Sequence, residues 1–251
     1  MLSANQAKFL TALQVKKYRQ KYRNFTVEGA KLVAELLAQN RIGVTGVYGL
    51  ERWAGENAAI LEPFRPVFQA LTEPELKKIS ALTNQQQVLA VAEMPAESPT
   101  WGTNGSFFLD GIRDPGNLGT ILRVADWFGF SAVFCSPDCA DAFSPKVVQA
   151  SMGAVFRVPV YELELGDVLE LAPGRPVLGA TLDGDSVFQV NFSPDALLVI
   201  GGEGSGMRPE TERLLTRRVT IPRAPGSDTE SLNASVAAGI LAALYRENCP
   251  I

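Results

Sequence analysis

Apolar and polar positions change rhythm several times along this chain, and each change marks an element. Lys8 to Tyr22 interleaves Phe9, Leu10, Leu13 and Val15 with basic residues and contains no Gly or Pro, which predicts one helix. Ala30 to Gln39 repeats Leu32, Val33, Leu36 and Leu37 at helical spacing. Phe25-Thr26-Val27-Glu28-Gly29, Val44–Tyr48, Val67-Phe68 and Val88–Glu93 read as short strands. Glu75–Leu82 reads as a short helix entered through Thr72-Glu73-Pro74-Glu75, with Pro where a first-turn residue is tolerated. Together these predict a small α/β domain over residues 1–93. Met94 to Ser106 then loses its period and collects two prolines and two glycines, so residues 94–105 read as a linker.

From residue 106 to 251 strand-like and helix-like stretches alternate. Ser106–Asp110, Ala132–Cys135, Val155–Val160, Pro176–Leu182, Ala196–Ile200 and Arg218–Ile221 read as extended. Leu118–Phe128, Pro145–Ala150, Leu163–Leu171, Pro209–Leu215 and Ala234–Tyr245 read as helices. Such alternation predicts a parallel sheet flanked by helices.

One junction in this half points to a ligand. The buried-strand run Ala196–Ile200 passes directly into Gly201-Gly202-Glu203-Gly204-Ser205-Gly206-Met207. Glycines let backbone N–H groups come close to a bound molecule, and ligands of open α/β sheets sit beyond the carboxyl ends of strands. A tight turn without ligand would need the same residues. A P-loop is excluded, because Met207-Arg208 stands where Lys-Ser/Thr is required, and Gly202, Gly204 and Gly206 alternate instead of following the dinucleotide spacing.

Composition narrows the chemistry. The chain has 251 residues and no histidine, which removes Ser-His-Asp and Cys-His mechanisms and most zinc hydrolase sites. Cys135, Cys139 and Cys249 form an odd set that suits a reducing compartment, without metal-binding spacing. No apolar run reaches the about 18 residues of a membrane span, and the start lacks a signal-peptide pattern, so a cytoplasmic protein with no metal is expected. The net charge is −4. The first 35 residues nevertheless carry Lys8, Lys16, Lys17, Arg19, Lys21, Arg23 and Lys31 against Glu28 and Glu35. Such a stripe is either the footprint of a phosphate backbone or a solvated helix face.

Two further segments stand out. Asp114-Pro115-Gly116-Asn117-Leu118-Gly119-Thr120-Ile121-Leu122-Arg123 places Asn117 near a helix start, where it would cap. Arg123 follows inside that helix among Ile121, Leu122, Val124 and Ala125, a costly place unless it faces a cavity, a partner, or Asp126. The second is Ile221-Pro222 followed by Ser231-Leu232-Asn233, cap-type residues ahead of an Ala-rich helix.

In this order, Asn117-x-Gly119-x-x-x-Arg123, Gly201–Met207 and Ile221-Pro222 with Ser231-Leu232-Asn233 resemble the SpoU/TrmH family of RNA 2′-O-ribose methyltransferases over about residues 105–248. Ser144-Pro145-Lys146 and Ala150–Ala154 add to the likeness. Phe25–Gly29 and the basic helix resemble, more weakly, an L30e-like RNA-binding domain. The resemblance implies a C-terminal trefoil knot, S-adenosylmethionine as cofactor, tRNA or rRNA as substrate, and a homodimer. By the same resemblance Leu182, Gly201, Gly202, Gly206, Ile221 and Leu232 would hold the cofactor. Arg123, Asn117, Glu203, Ser231 and Asn233 would carry the chemistry, with Arg123 reaching the methyl donor held by the other subunit. Lys16, Lys17, Arg19 and Arg23 would meet RNA. A non-catalytic RNA-binding protein on the same scaffold is the alternative, and a nicotinamide-dependent oxidoreductase is disfavoured by the glycine spacing.

Overall fold

A computed structural model of the chain describes residues 1–39, 41–84, 86–95, 98–204 and 206–250. Ser205 of the glycine-rich loop, and residues 96 and 97 of the expected linker, lie outside the described residues. The chain forms two compact units, Met1–Glu97 with Asp141–Phe156 and Ser98–Ala140 with Arg157–Ile251. The division is therefore not one cut along the sequence.

In the first unit the order is α1 (Ala4–Ala12), α2 (Lys16–Tyr22), β1 (Asn24–Glu28), α3 (Ala30–Gln39), β2 (Val44–Gly49), α4 (Glu51–Glu56), α5 (Ala58–Leu61), β3 (Phe68–Ala70), α6 (Glu73–Ile79) and β4 (Val88–Glu93). Its sheet runs β1-β4-β2-β3, with β4 antiparallel to both neighbours and β2 parallel to β3. Leu10, Leu13, Leu76, Ile79, Leu89 and Val91 form the core on one face. The expected single helix from Lys8 to Tyr22 is two. It breaks at residues 13–15, where Leu13 is buried and caps α1 while Val15 takes an extended conformation ahead of α2. Ser3 and Gln6 close a capping box on α1.

A later stretch joins this unit. α8 (Pro145–Ser151), capped by Ser144, belongs to it. Gln149 Nε2 donates to the Glu28 carbonyl at 2.6 Å, and the rings of Phe25 and Phe143 sit 4.9 Å apart. Arg19 donates to Asp141 through Nε at 3.1 Å and Nη2 at 2.5 Å.

The second unit holds β5 (Ser106–Asp110), α7 (Pro115–Trp127), β6 (Val133–Cys135), β7 (Val160–Glu162), α9 (Leu165–Leu171), β8 (Val177–Ser186), β9 (Leu197–Gly201), α10 (Pro209–Glu212), β10 (Arg217–Thr220) and α11 (Ala234–Asn248). Its sheet is parallel, in the order β10-β8-β9-β5-β6-β7. Phe108, Phe134, Val168, Val177, Leu197 and Val199 lie in its core. Residues 155–160, expected as one extended run, open instead with a 3₁₀ turn at Ala154–Phe156, which belongs to the first unit. Tyr245 of α11 is fully buried; its hydroxyl accepts from the Gly105 N–H at 2.5 Å and donates to the Pro194 carbonyl.

Chain direction across this sheet places the site. From β5 the chain moves outward to β6 and β7, then crosses to the other side for β8, β9 and β10. The strand order thus reverses beside β5 and β9, whose last residues Asp110 and Gly201 are register partners. Ligands of open parallel sheets sit at the carboxyl ends beside such a reversal.

Candidate functional site

The carboxyl ends of β5 and β9 open into a cleft of 600 Å³ lined by Asp110, Arg113, Asp114, Asn117, Glu203 and Arg208 among others. Asn117 is not the helix cap. Asp114 caps α7, accepting the Asn117 N–H at 2.9 Å, and frees the Asn117 amide for other work. That amide donates to Glu203 Oε1. Asn233 is the cap of α11, its Oδ1 accepting the N–H groups of Ser235 at 2.9 Å and Val236 at 3.3 Å. Its Nδ2 donates to Asn117 Oδ1 and to Glu203 Oε1, each at 3.0 Å. One residue from each of three segments far apart in sequence thus meets in a single cluster. Both amides donate to the same Glu203 oxygen, leaving Oε2 with no protein donor among the described residues.

The glycines of the loop serve first to fold it back. Gly202 and Gly206 pair as an isolated bridge, and Gly204 and Gly206 hold positive φ. A Cβ on Gly201 would meet backbone atoms of Gly206 and Met207 at 2.5 Å. Gly201→Ala is therefore expected to lower stability by about 1–3 kcal/mol, the scale of overpacking. Urea unfolding followed by tryptophan fluorescence measures this, and an unchanged midpoint would show that the loop opens freely.

A second set of groups went unseen in the sequence. Asp110 is 1 % exposed and accepts from the Arg208 N–H at 2.7 Å and from Arg208 Nε at 2.6 Å. Arg208 also donates to Glu164 at 2.9 Å. Burial pulls against the Arg208 charge, but the Glu164 and Asp110 carboxylates outweigh it and raise its pKa above the ordinary value. This pair ties the end of the glycine-rich loop to β5. The only hint in the sequence is a carboxylate closing a buried strand. Beside it, the Ser136 hydroxyl, with help from Arg113, holds the Asp138 carboxyl below its usual range. Cys139 is pulled to about 7, first by the neighbouring Cys135 thiol, against the opposing effect of burial, with Ser136 and the Ile112 N–H assisting.

Of the expected cofactor residues, Leu182, Gly201 and Ile221 lie on or directly after three adjacent strands, β8, β9 and β10. Between the pairs Arg218↔Gly179 and Val219↔Asp185 the register jumps, so residues 180–184 bulge out of β8. Leu182 sits in that bulge and is 78 % exposed, with its carbonyl accepting from Thr220 Oγ1 at 3.3 Å. Ile221 directly follows β10, Gly201 ends β9, and Leu232, 47 % exposed, precedes Asn233.

Other expected residues stand apart. Ser231 is exposed and outside the amide cluster. Arg123 is exposed, not buried among its apolar sequence neighbours, and has no ionic or hydrogen-bonding partner among the described residues. Asp126, a candidate partner for it, is held by Arg157 at 2.8 Å. Trp127, one turn along from Arg123, is 83 % exposed. Arg19 is corrected: it is 3 % exposed, donates to the Leu13 carbonyl at 2.7 Å and pairs with Asp141, so it is a core residue with no free face for RNA. Lys17 and Lys21 lie on the exposed side of α2, and Arg23, which ends it in the left-handed region, donates to the Pro95 carbonyl at 2.8 Å. Among the described residues no group of three His, Cys, Asp or Glu side chains is placed to hold a metal, and no helix is long and apolar enough to cross a membrane.

Comparison with known proteins adds to this geometry. A family model described as the SpoU rRNA Methylase family matches residues 105–243, and one described as an MRM3-like substrate binding domain matches residues 4–90. The chain is 30% identical to the 23S rRNA (guanosine(2553)-2′-O)-methyltransferase RlmP of Bacillus subtilis, over 91% of this chain and 91% of that protein. A solved AdoMet-bound rRNA methyltransferase from Sinorhizobium meliloti superposes with a TM-score of 0.87 at 28% identity, covering 100% of this chain and 98% of the other. The SpoU methyltransferase AviRb from Streptomyces viridochromogenes, solved with AdoMet, gives 0.85 at 27% identity, covering 99% of each chain.

Proposed function

We infer that this chain, which belongs to the SpoU rRNA methylase family, transfers a methyl group from S-adenosylmethionine to a ribose 2′-hydroxyl of RNA. The observation that carries the reading is the convergence of Asn117, Glu203 and Asn233 in one cluster at the carboxyl ends of the parallel strands. A purely RNA-binding scaffold has no need of a carboxylate oriented by two amides, so the catalytic reading is favoured over that alternative.

The residues present fit the cofactor. Leu182 and Leu232 are large apolar side chains left in water, suited to cover the flat faces of an adenine. Leu182, Gly201, Gly202, Gly206, Ile221 and Leu232 would hold it, with backbone groups taking the adenine and ribose. When bound, S-adenosylmethionine supplies an electrophilic methyl on a sulfonium. The chain's own part is positioning, which can account for about 7–11 kcal/mol of a barrier. Glu203 Oε2, with no donor among the described residues, accepts from the 2′-hydroxyl and aims its oxygen. Asn117 and Asn233 hold Glu203 in place, and Ser231 stands at the mouth of the same segment. An arginine stays protonated in proteins, so Arg123 serves as a fixed cation. It clamps a substrate phosphate and stabilises the alkoxide charge as it develops.

Two further features belong to this reading. The C-terminal strands and α11 form a trefoil knot that brings the glycine-rich loop and residues 221–233 together, after an L30e-like N-terminal domain. The protein works as a homodimer in the cytoplasm. An exposed arginine with no partner among the described residues, one helical turn from the exposed Trp127, is what a second copy would cover. In the dimer Arg123 of one subunit completes the site of the other.

Incubation with methyl-labelled S-adenosylmethionine and total tRNA or rRNA, followed by nucleoside mapping, tests the function. The expected result is label on one 2′-O-methylated nucleoside. Absence of cofactor binding by calorimetry would overturn the reading.

A further inference from the structure

The first unit contains a cleft that the proposed chemistry does not use. It measures 420 Å³ and is lined by Glu28, Leu76, Lys77, Ser80, Leu82, Thr83, Gln86, Val88 and Leu89. That volume falls in the range of small-ligand sites, about 300–1,000 Å³. Glu28, the last residue of β1, is 3 % exposed. Buried carboxylates are normally paired with a cation, yet no ion pair involves Glu28 among the described residues. Its donors are neutral: Ser80 Oγ at 2.5 Å and the Ala81 N–H at 2.8 Å. A carboxylate offers about four lone-pair sites, so acceptor capacity remains on a group that lines the cleft. Burial pushes its pKa up, against the opposing effect of the Ser80 and Ala81 bonds.

The rest of the lining has one character. Gln86 Nε2 is engaged by the Asn84 carbonyl at 2.9 Å, which leaves its amide oxygen as a second acceptor. Leu76, Leu82 and Val88 supply apolar walls, and Lys77 is exposed at the rim. The complement is a flat group with adjacent N–H donors on one edge and an anion behind it. Guanine presents N1–H and N2–H₂ side by side. Uracil presents one N–H between two carbonyls, which a carboxylate repels, and adenine presents only its exocyclic amine beside a ring acceptor. Sequence-specific RNA recognition targets unstacked bases read on such edges.

We propose that this cleft takes one unstacked guanine of the RNA substrate, with its N–H edge on the Glu28 carboxylate and its phosphate near Lys77. The inference rests on the reading of RNA as substrate. The site is separate from the methyl-transfer cluster, so its loss weakens RNA capture and leaves the chemistry intact.

The test uses the full chain and four nucleoside monophosphates, GMP, AMP, CMP and UMP, with binding read by calorimetry. Wild-type protein is expected to prefer GMP by at least about tenfold, the scale of one bidentate base pairing. Glu28→Gln is expected to abolish the preference. Because that change also touches the Ser80 and Ala81 bonds, Thr83→Trp, at an exposed position on the wall, fills the space without disturbing them. Both variants are expected to keep cofactor affinity and kcat and to raise KM for RNA. Equal binding of all four nucleotides, or GMP affinity that survives Thr83→Trp, overturns the proposal. Methyl transfer by wild type with unaltered KM in both variants overturns it while sparing the RNA reading. Absence of transfer by wild type, with GMP binding abolished in both variants, overturns only the enzymatic reading.

Discussion

Arg123→Ala is expected to keep its fold and its cofactor affinity and to lose methyl transfer by about 10²–10³-fold, the effect of removing one preorganised charge-stabilising group. Stability is expected to move by no more than about 0.5 kcal/mol, because the side chain is exposed and holds nothing in its own chain among the described residues. Of the expected cofactor residues, Leu182, Gly201 and Ile221 lie on or directly after β8, β9 and β10, not on α7. The subunit from which Arg123 acts is separable by mixing. Arg123→Ala chains and Asn233→Ala chains are each expected to be nearly inactive alone. If the arginine reaches across a dimer, a mixed dimer has one complete site, formed by intact Asn233 of one chain and Arg123 of the other. If it acts within its own chain, neither site of a mixed dimer is complete. Co-refolded mixtures assayed for methyl transfer are expected to recover activity. Failure to recover would place Arg123 in its own subunit's site, and near-wild-type activity of Arg123→Ala alone would remove it from the mechanism.

The same residue shows where sequence reading loses resolution. Arg123 looks like a core intruder because its sequence neighbours are Ile121, Leu122, Val124 and Ala125. On a helix, neighbours in space are three or four positions apart. Its true companion is Trp127, also exposed, while Ile121, Leu122 and Ala125 are buried on the other side. The strand Leu197–Gly201 was legible because a buried parallel strand needs a continuous apolar run, and Asn117, Glu203 and Asn233 because their segments match a family pattern. Asp110 and Arg208 were not, because nothing local shows that residues 98 positions apart will pair. The break between α1 and α2 has no glycine or proline to announce it. Burial of Leu10 and Leu13, together with the turn of Arg19 toward Asp141, decides it, and these are tertiary facts.

That turn divides the basic helix into two kinds of residue with opposite expected phenotypes. Asp141→Ala leaves the Arg19 guanidinium buried at 3 % exposure with the Leu13 carbonyl as its one remaining hydrogen-bond partner among the described residues. Removing one member of a buried pair costs about 3–5 kcal/mol, because the remaining charge is uncompensated. Replacing both partners with apolar residues, Arg19→Met with Asp141→Leu, is expected to recover most of that deficit, since a well-packed apolar pair often matches a buried ion pair. Urea midpoints of the single and double variants give the comparison. Lys16 is half-buried, so the exposed lysines are the ones to change: Lys17→Glu with Lys21→Glu is expected to leave the midpoint within about 0.5 kcal/mol of wild type. It is also expected to weaken RNA binding and to reduce the slope of log affinity against log salt by about 0.7 for each phosphate no longer neutralised. A wild-type midpoint for Asp141→Ala would mean that Arg19 escapes to water when unpaired. An unchanged salt slope for the lysine variant would mean that the exposed side of α2 meets solvent and not a phosphate backbone.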